Sequence, residues 1–215
     1  NNTLPSRLTT EQNIYQALVL AVRDYINKNA FPGAIIGLSG GIDSALTLAV
    51  AVDAIGADNV TAVMMPSPHT ADISIEDAKL EAEILNVTYH TINIAPLYDQ
   101  FQETLAPLFI DQPKNTTEEN IQARIRGTLL MALSNKFGKI VLTTGNKSEL
   151  SVGYATLYGD MAGAFSVLKD IPKTLVYKLA NYRNSISKAI PERVITRAPS
   201  AELSDNQTDQ DSLPP

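Results

Sequence analysis

Residues 37–44 read Gly-Leu-Ser-Gly-Gly-Ile-Asp-Ser, a Gly-rich turn set between an apolar strand pattern and an apolar helix pattern. Ala34, Ile35, Ile36 and Leu38 form the strand run, while Ala45, Leu46, Leu48, Ala49, Val50 and Val52 follow with helical spacing. Such a turn suits an anion, because backbone N–H groups converge there and the helix dipole adds partial positive charge. Gly40 and Gly41 are expected to let the backbone approach a phosphate and to supply positive φ at no steric cost. Ser39 and Ser44 add hydroxyl donors. Asp43 is out of place beside an anion unless Mg²⁺ lies between them. No Lys-Ser or Lys-Thr pair follows the glycines and no Gly-x-Gly-x-x-Gly occurs, so neither a Walker-type loop nor the dinucleotide fingerprint is present.

A second cluster reads Leu142-Thr143-Thr144-Gly145-Asn146-Lys147-Ser148-Glu149 and runs on to Gly153-Tyr154 and Leu157-Tyr158-Gly159-Asp160. Taken alone it is a turn and a short helix start, with Glu149 as a solvated carboxylate that suits the first-turn dipole. The sharper alternative pairs Glu149 with Asp43 around Mg²⁺, an ion that keeps few protein ligands and takes phosphate oxygens for the rest. On their own, Asn120 and Arg124 read as plain helix surface, and Lys173 as a solvated lysine where the dipole slightly disfavours it. His69 and His90 have no ligand spacing around them.

The elements that must position these groups alternate along the chain. Thr9 and Gln12 suggest a capping box, and Ile14, Ala17, Leu18, Ala21, Val22, Tyr25 and Ile26 keep a helical face to about residue 29. Strands are predicted at 34–38, 60–65, 87–92 and 139–143. Between them the patterns predict helices from Asp43 to Gly56, from Ser74 through Leu85, and over 96–109. Thr116 with Glu119 is expected to cap the longest helix, whose stripe is Ile121, Ile125, Leu129, Ala132, Leu133 and Phe137, with Gly138 as its terminator. A last helix is predicted over 173–189. Past Ala198 the chain turns polar and acidic, and 198–215 is expected to be mobile without ligand. The alternation implies an α/β fold: a parallel sheet with helices on both faces, in three layers, and ligands beyond the carboxyl ends of the strands. The segments 39–44 and 143–149 both fall at strand ends and can share one crevice.

Composition narrows the function class. With 215 residues, 44% of them hydrophobic, the chain can bury one sizeable core, so 1–215 is read as one domain. A net charge of −6 argues against general affinity for nucleic acid or anionic membrane. No apolar run is long enough to span a bilayer, and no basic leader precedes a short apolar stretch. The absence of cysteine removes disulfides, thiolate metal sites and a Cys nucleophile, which fits a cytoplasmic enzyme. A start at Asn1 and an end at Pro214-Pro215 suggest a piece of a longer protein.

The Ser-Gly-Gly-x-Asp-Ser run resembles the pyrophosphate loop of the ATP pyrophosphatase superfamily, whose fold is Rossmann-like and adenine nucleotide alpha hydrolase-like. Together with Glu118-Glu119-Asn120-Ile121-Gln122-Ala123-Arg124, the 143–149 cluster and Ala198-Pro199-Ser200-Ala201-Glu202-Leu203, it occurs in the order seen in NAD⁺ synthetases. The stretches Tyr158-Gly-Asp-Met-Ala-Gly and Pro172-Lys173-Thr174-Leu175-Val176-Tyr177 look like the glutamine-dependent branch. The resemblance implies ATP-dependent amidation of deamido-NAD⁺ by ammonia through an acyl adenylate, with release of pyrophosphate and AMP. It also implies that Gly37, Leu38, Ser39, Gly40, Gly41, Ile42, Asp43 and Ser44 hold ATP, with Thr144, Lys173 and Ser200 beside it. Asp43 and Lys173 are the implied catalytic residues, Asp43 and Glu149 the implied Mg²⁺ ligands, and Asn120, Arg124, Glu149 and Asp160 the implied contacts to deamido-NAD⁺. Met64 stands where some single-domain relatives carry an arginine near the adenine.

Further implications concern the rest of the protein. Glutamine-dependent members carry an amidase domain with a nucleophilic cysteine, which this sequence lacks, so the chain alone is expected to use free ammonia at most. Members also continue past this C-terminus with a helix and a basic segment, so the domain reads as C-terminally truncated. A homodimer through the 117–137 helix is the family expectation, against packing of that stripe on its own sheet. The rival readings are another amide ligase of the same superfamily, acting on a GMP precursor, asparagine or a tRNA base, and a truncated module that binds ATP and dimerises without turnover. The charge of −6 weighs against the tRNA branch.

Overall fold

Five short strands, β1 (Ala34–Gly37), β2 (Val60–Met64), β3 (Thr88–Thr91), β4 (Ile140–Thr143) and β5 (Phe165–Ser166), hydrogen-bond in the order β3-β2-β1-β4-β5, all parallel. They come from the computed structural model of the chain, which describes residues 8–197. Ser200, the 198–203 motif and the expected mobility of 198–215 lie outside the described residues.

The helices are α1 (Thr10–Lys28), α2 (Ile42–Ile55), α3 (Asp72–Leu85), α4 (Ala95–Leu105), α5 (Thr116–Phe137), α6 (Lys147–Val152), α7 (Lys173–Ile186) and α8 (Glu192–Thr196). Side chains alternate across β1, so Ala34 and Ile36 join one apolar cluster and Ile35 the other. On the first face α1, α2 and α7 contribute Val22, Leu46 and Leu179, each fully buried. On the second face α4 and α5 contribute Tyr98, Ile121 and Ile125 beside Val63 and Val141. Full burial of a leucine such as Leu46 or Leu179 stabilises by about 2 kcal/mol. The result is the predicted three-layer α/β arrangement. Among the described residues no helix is long and apolar enough to cross a membrane.

Several boundaries differ from expectation, each for a local reason. Asn115 rather than Thr116 caps α5: its side chain accepts from Thr117 N, and Glu118, not Glu119, reaches back to the Asn115 amide. Asparagine is the stronger cap, so it wins the position by one residue. At α1, Thr9 is the cap and accepts from Gln12 N. The predicted 96–109 helix tightens into a 3₁₀ turn at Ala106–Leu108. The last helix ends at Ile186, because Asn184 Oδ1 turns back to accept from the amides of Ala189 and Ile190. Neither β5 nor α8 was expected; at two and five residues they are too short to carry a period. The α5 stripe also divides. Ile121 and Ile125 are buried on the sheet, whereas Phe137 is 62% exposed.

Candidate functional site

The site is a crevice at the carboxyl ends of β1 and β4, where the loops entering α2 and α6 face each other. Gly40 takes φ 82°, and a Cβ there would lie 2.3 Å from the Ser74 carbonyl, so only glycine fits between this loop and the first turn of α3. Gly41 does not share this need. It is the N-cap of α2 with φ −92°, ordinary extended backbone, which corrects the expectation of positive φ at both glycines. Gly41 has no side chain to cap with, so the first-turn N–H groups of α2 stay available to an anion. The two serines lock the loop: Ser39 N donates to Ser44 Oγ (3.2 Å), Gly41 N donates to Ser39 Oγ (3.3 Å), and the two hydroxyls lie 3.1 Å apart. Ser44 Oγ also donates to the Gly41 carbonyl at 3.0 Å.

Across the crevice, Asn146 caps α6 through a full capping box. Its side chain accepts from Glu149 N (3.1 Å), and its own amide donates to Glu149 Oε2 (3.1 Å). The remaining donor of the same side chain, Nδ2, reaches Asp43 Oδ1 at 2.9 Å, 103 residues away in sequence. Asn146 is fully buried. Lys173 enters from the N-terminus of α7, donating its ammonium to Asp43 Oδ2 and lying 3.7 Å from Glu149 Oε1. The backbone amide of Lys173 is fixed by Ser148 Oγ (3.1 Å), and Lys147 N donates to the Ile171 carbonyl (3.0 Å). Two carboxylates therefore offset the unfavourable dipole at the start of α7 and hold the lysine in place.

That trio is the donor set a Mg²⁺–phosphate complex calls for. Asp43 and Glu149 already share one cation, the Lys173 ammonium, and two carboxylates plus substrate oxygens is a usual magnesium arrangement. Among the described residues no group of three or more His, Cys, Asp or Glu could hold a metal, so phosphate oxygens would have to complete the shell. The residues fit the ion.

A cavity of about 260 Å³ extends from the loop along the strand ends, lined by Leu38, Ser39, Met64, Thr144, Arg126 and Asp160 among others. Of the predicted dinucleotide contacts Asp160 lines this cavity, whereas Asn120 and Arg124 are not in its lining and bond to the 156–160 turn instead. Thr156 Oγ1 donates to Asn120 Oδ1 (2.7 Å), Arg124 Nε donates to the Leu157 carbonyl (3.3 Å), and Thr156 N donates to Asp160 Oδ1 (2.7 Å). Desolvation holds the Asp160 carboxyl above its ordinary range, against backbone hydrogen bonds that pull it down. A second cavity, about 420 Å³, carries Glu149 and Asp160 on a shared wall with Tyr154, Phe165 and Lys169. His90 is exposed and His69 half-buried, and neither lines these cavities.

The NAD synthase family model matches residues 14–215. The chain belongs to the NAD synthase family. It is 62% identical over 209 residues to a glutamine-dependent NAD⁺ synthetase of Acinetobacter baylyi, covering 96% of this chain and 39% of that protein. With the counterpart from Thermotoga maritima the identity is 50%, over 100% of this chain and 37% of that protein. Among solved structures, glutamine-dependent NAD⁺ synthetase from Acinetobacter baumannii in complex with ADP superposes with TM-score 0.90 at 60% identity, over 94% of this chain and 38% of that one. NMN synthetase from Francisella tularensis gives TM-score 0.86 at 32% identity, over 95% of this chain and 81% of its own. The chain thus spans under two fifths of the length of these glutamine-dependent relatives.

Two residues of this crevice went unmarked in the sequence. Asn146 was visible as part of a capping signature, Asn-x-x-Glu, but nothing local connects it to Asp43. Arg126 follows Arg124 by two positions and so leaves α5 on a different side. Its Nε donates to the Met65 carbonyl at 3.0 Å, placing a guanidinium on the wall that Met64 also lines.

Proposed function

We propose that this chain is the synthetase domain that amidates deamido-NAD⁺ to NAD⁺, using ATP and ammonia. The supporting observation is the convergence of Asp43, Glu149 and Lys173, from three separate segments, beside an uncapped helix start. The nicotinate carboxylate cannot expel oxide at neutral pH, so the oxygen must first become a leaving group. Its attack on the α-phosphorus of ATP forms an acyl adenylate and breaks the bond to pyrophosphate. Ammonia then attacks the acyl carbon, AMP departs with the bonding pair, and loss of a proton leaves the carboxamide.

The residues divide the work accordingly. The 39–44 loop and the α2 N-terminus take the β and γ phosphates through N–H and hydroxyl donors already held in place. Lys173 balances charge as it builds on pyrophosphate, and Asn146 fixes the Asp43 carboxylate at its angle. Asp43 and Glu149 would hold Mg²⁺, which when bound supplies Lewis-acid polarisation of the phosphates. Thr144, Met64 and Arg126 line the space open to the nucleoside. Asn120, Arg124 and Asp160 shape the deamido-NAD⁺ end, and Ser200 is proposed to bind ATP. The ADP complex of the Acinetobacter baumannii protein supports nucleotide binding here. In the longer protein an amidase domain would supply ammonia from glutamine. We also propose that a second copy covers the exposed end of α5 at Phe137, and that the protein works in the cytoplasm.

The test incubates the chain with ATP, Mg²⁺, ammonium and deamido-NAD⁺, and follows NAD⁺ by mass spectrometry with Asp43→Ala as control. Product that forms with the parent chain and vanishes with the variant is expected. The likeness to NMN synthetase favours a second reading, amidation of nicotinate mononucleotide, so the same assay runs with that substrate. ATP binding with neither product would leave the inert-module reading standing.

A further inference from the structure

The phosphate loop is set from behind by the first turn of α3. The Ser74 carbonyl, carbon and Cα all crowd the place a Gly40 Cβ would occupy, at 2.3 to 2.9 Å. Ser74 is fully buried, and its amide donates to the Ala71 carbonyl at 2.9 Å, so it moves only with that turn. Its hydroxyl oxygen accepts from Arg197 Nη2 at 2.8 Å, across 123 residues of chain. Arg197 follows α8 and is half-buried. Four residues earlier, Arg193 binds the same helix elsewhere, through Asp77 Oδ1 and Oδ2 (2.9 and 3.1 Å) and Glu76 Oε2 (3.0 Å).

We propose that Arg197 is a positioning residue for the phosphate loop, acting through Ser74 on Gly40. The two arginines do different work. Arg193 ties α8 to α3 two and three residues past Ser74, through the exposed Glu76 and the buried Asp77. Arg197 holds the side chain of Ser74, whose own backbone bears on Gly40. A charge-assisted hydrogen bond to a buried hydroxyl is strong and directional, so it restrains the α3 turn at the residue that touches the loop. The inference rests on the loop being the phosphate site only for its effect on ATP; its effect on the loop itself is independent of that reading.

The test compares Arg197→Ala, Arg197→Lys, Ser74→Ala and Arg193→Ala in the full chain by amide exchange and by ATP titration. Arg197→Ala and Ser74→Ala are each expected to speed exchange of peptides spanning 38–45 by about tenfold, the scale of one lost charge-assisted hydrogen bond. Their double variant should do no worse than either, the mark of a shared interaction. Apparent KM for ATP should rise by about tenfold with kcat held within about threefold, and Arg197→Lys should recover part of both. Arg193→Ala should lower the melting temperature yet leave loop exchange and KM unchanged. Equal loop exchange in Arg193→Ala and Arg197→Ala, or none in either, would overturn the proposal whatever ATP does. A parent chain that binds no ATP would overturn the proposed function instead, and the exchange arm would still decide this one.

Discussion

Replacing Asn146 separates what holds α6 from what holds the Asp43 carboxylate. The buried side chain caps Glu149 N at 3.1 Å and donates to Asp43 Oδ1 at 2.9 Å. Loss of an N-cap costs about 1 kcal/mol, and loss of a hydrogen bond to a charged group about 1.5–3 kcal/mol. Asn146→Ala removes both, so unfolding free energy should fall by about 2.5–4 kcal/mol. Asn146→Ser keeps a capping oxygen but is too short to reach Asp43, so it should lose only the larger part, about 1.5–3 kcal/mol. The Asp43 side chain is 16% exposed, which leaves little water to replace the lost donor. Urea denaturation measures both variants, and ammonia-dependent NAD⁺ formation at saturating ATP measures what a loose Asp43 does. Serine should restore roughly the cap's share of stability while leaving turnover as low as in alanine. If both variants unfold like the parent, or if serine restores turnover along with stability, the two roles are not divided as described.

Three further outcomes follow from the geometry. Gly40→Ala should weaken the fold by about 2 kcal/mol or more and abolish ATP binding, because a Cβ meets the Ser74 carbonyl at 2.3 Å and φ is 82°. Gly41→Ala, whose Cβ would meet only Ser39 Oγ at 3.4 Å, should fold normally; parallel melts of the two decide it. Glu81 is fully buried with neither carboxyl oxygen hydrogen-bonded, and burial followed by the nearby Asp77 charge pushes its pKa well above the ordinary 4.5. A raised folded-state value favours the protonated acid, so this contribution is complete below about pH 4.5 and is lost as pH rises through the folded value. Glu81→Gln should therefore flatten the fall of melting temperature toward alkaline pH; a parallel fall in both proteins would refute the assignment. Asp53→Asn should cost about 3 kcal/mol, since Asp53 takes two hydrogen bonds from the buried Arg183 (2.7 and 3.0 Å) and one from Tyr15 OH (2.6 Å). A loss below about 1 kcal/mol in denaturant titration would show that the pair behaves as a surface bridge.

The long, regular parts of the fold were legible because their signals repeat. Four strands and six helices carry enough periodic residues, or clear Gly and Pro punctuation, to be placed within a few positions. The short elements were not, since β5 spans two residues and is recognised only by its pairing with β4. The Asn115 cap was missed for a different reason: two successive residues can each cap, and the Thr-x-x-Glu signature masked the stronger asparagine beside it. For the site, Gly-Gly-x-Asp-Ser announces an anion loop by itself, because free donors at a helix start have one obvious chemistry. The partnership of Asp43 with Asn146 and Lys173 has no local trace. It spans 103 and 130 residues and exists only once β1 and β4 lie side by side. Arg126 escaped for the same cause, since its acceptor is a backbone carbonyl 61 positions away.

That side-by-side placement also explains why the nucleotide and its cation should bind together on the proposed reading. The formal charges of Asp43, Glu149 and Lys173 sum to minus one, in a pocket where all three side chains are less than a quarter exposed. A bare polyphosphate meets a repulsive carboxylate pair there, while a bare divalent cation meets an ammonium already seated between the same oxygens. Each ligand alone would be opposed; with both present, Asp43 and Glu149 would hold the cation and Lys173 would be free to turn to the phosphates. The loop donors then count fully, because their fixed hydrogen bonds among Ser39, Gly41 and Ser44 need no rearrangement when charge develops. On that reading, selectivity for the metal-bound nucleotide would rest on three side chains held by caps and backbone contacts, whatever lines the space open to the nucleoside.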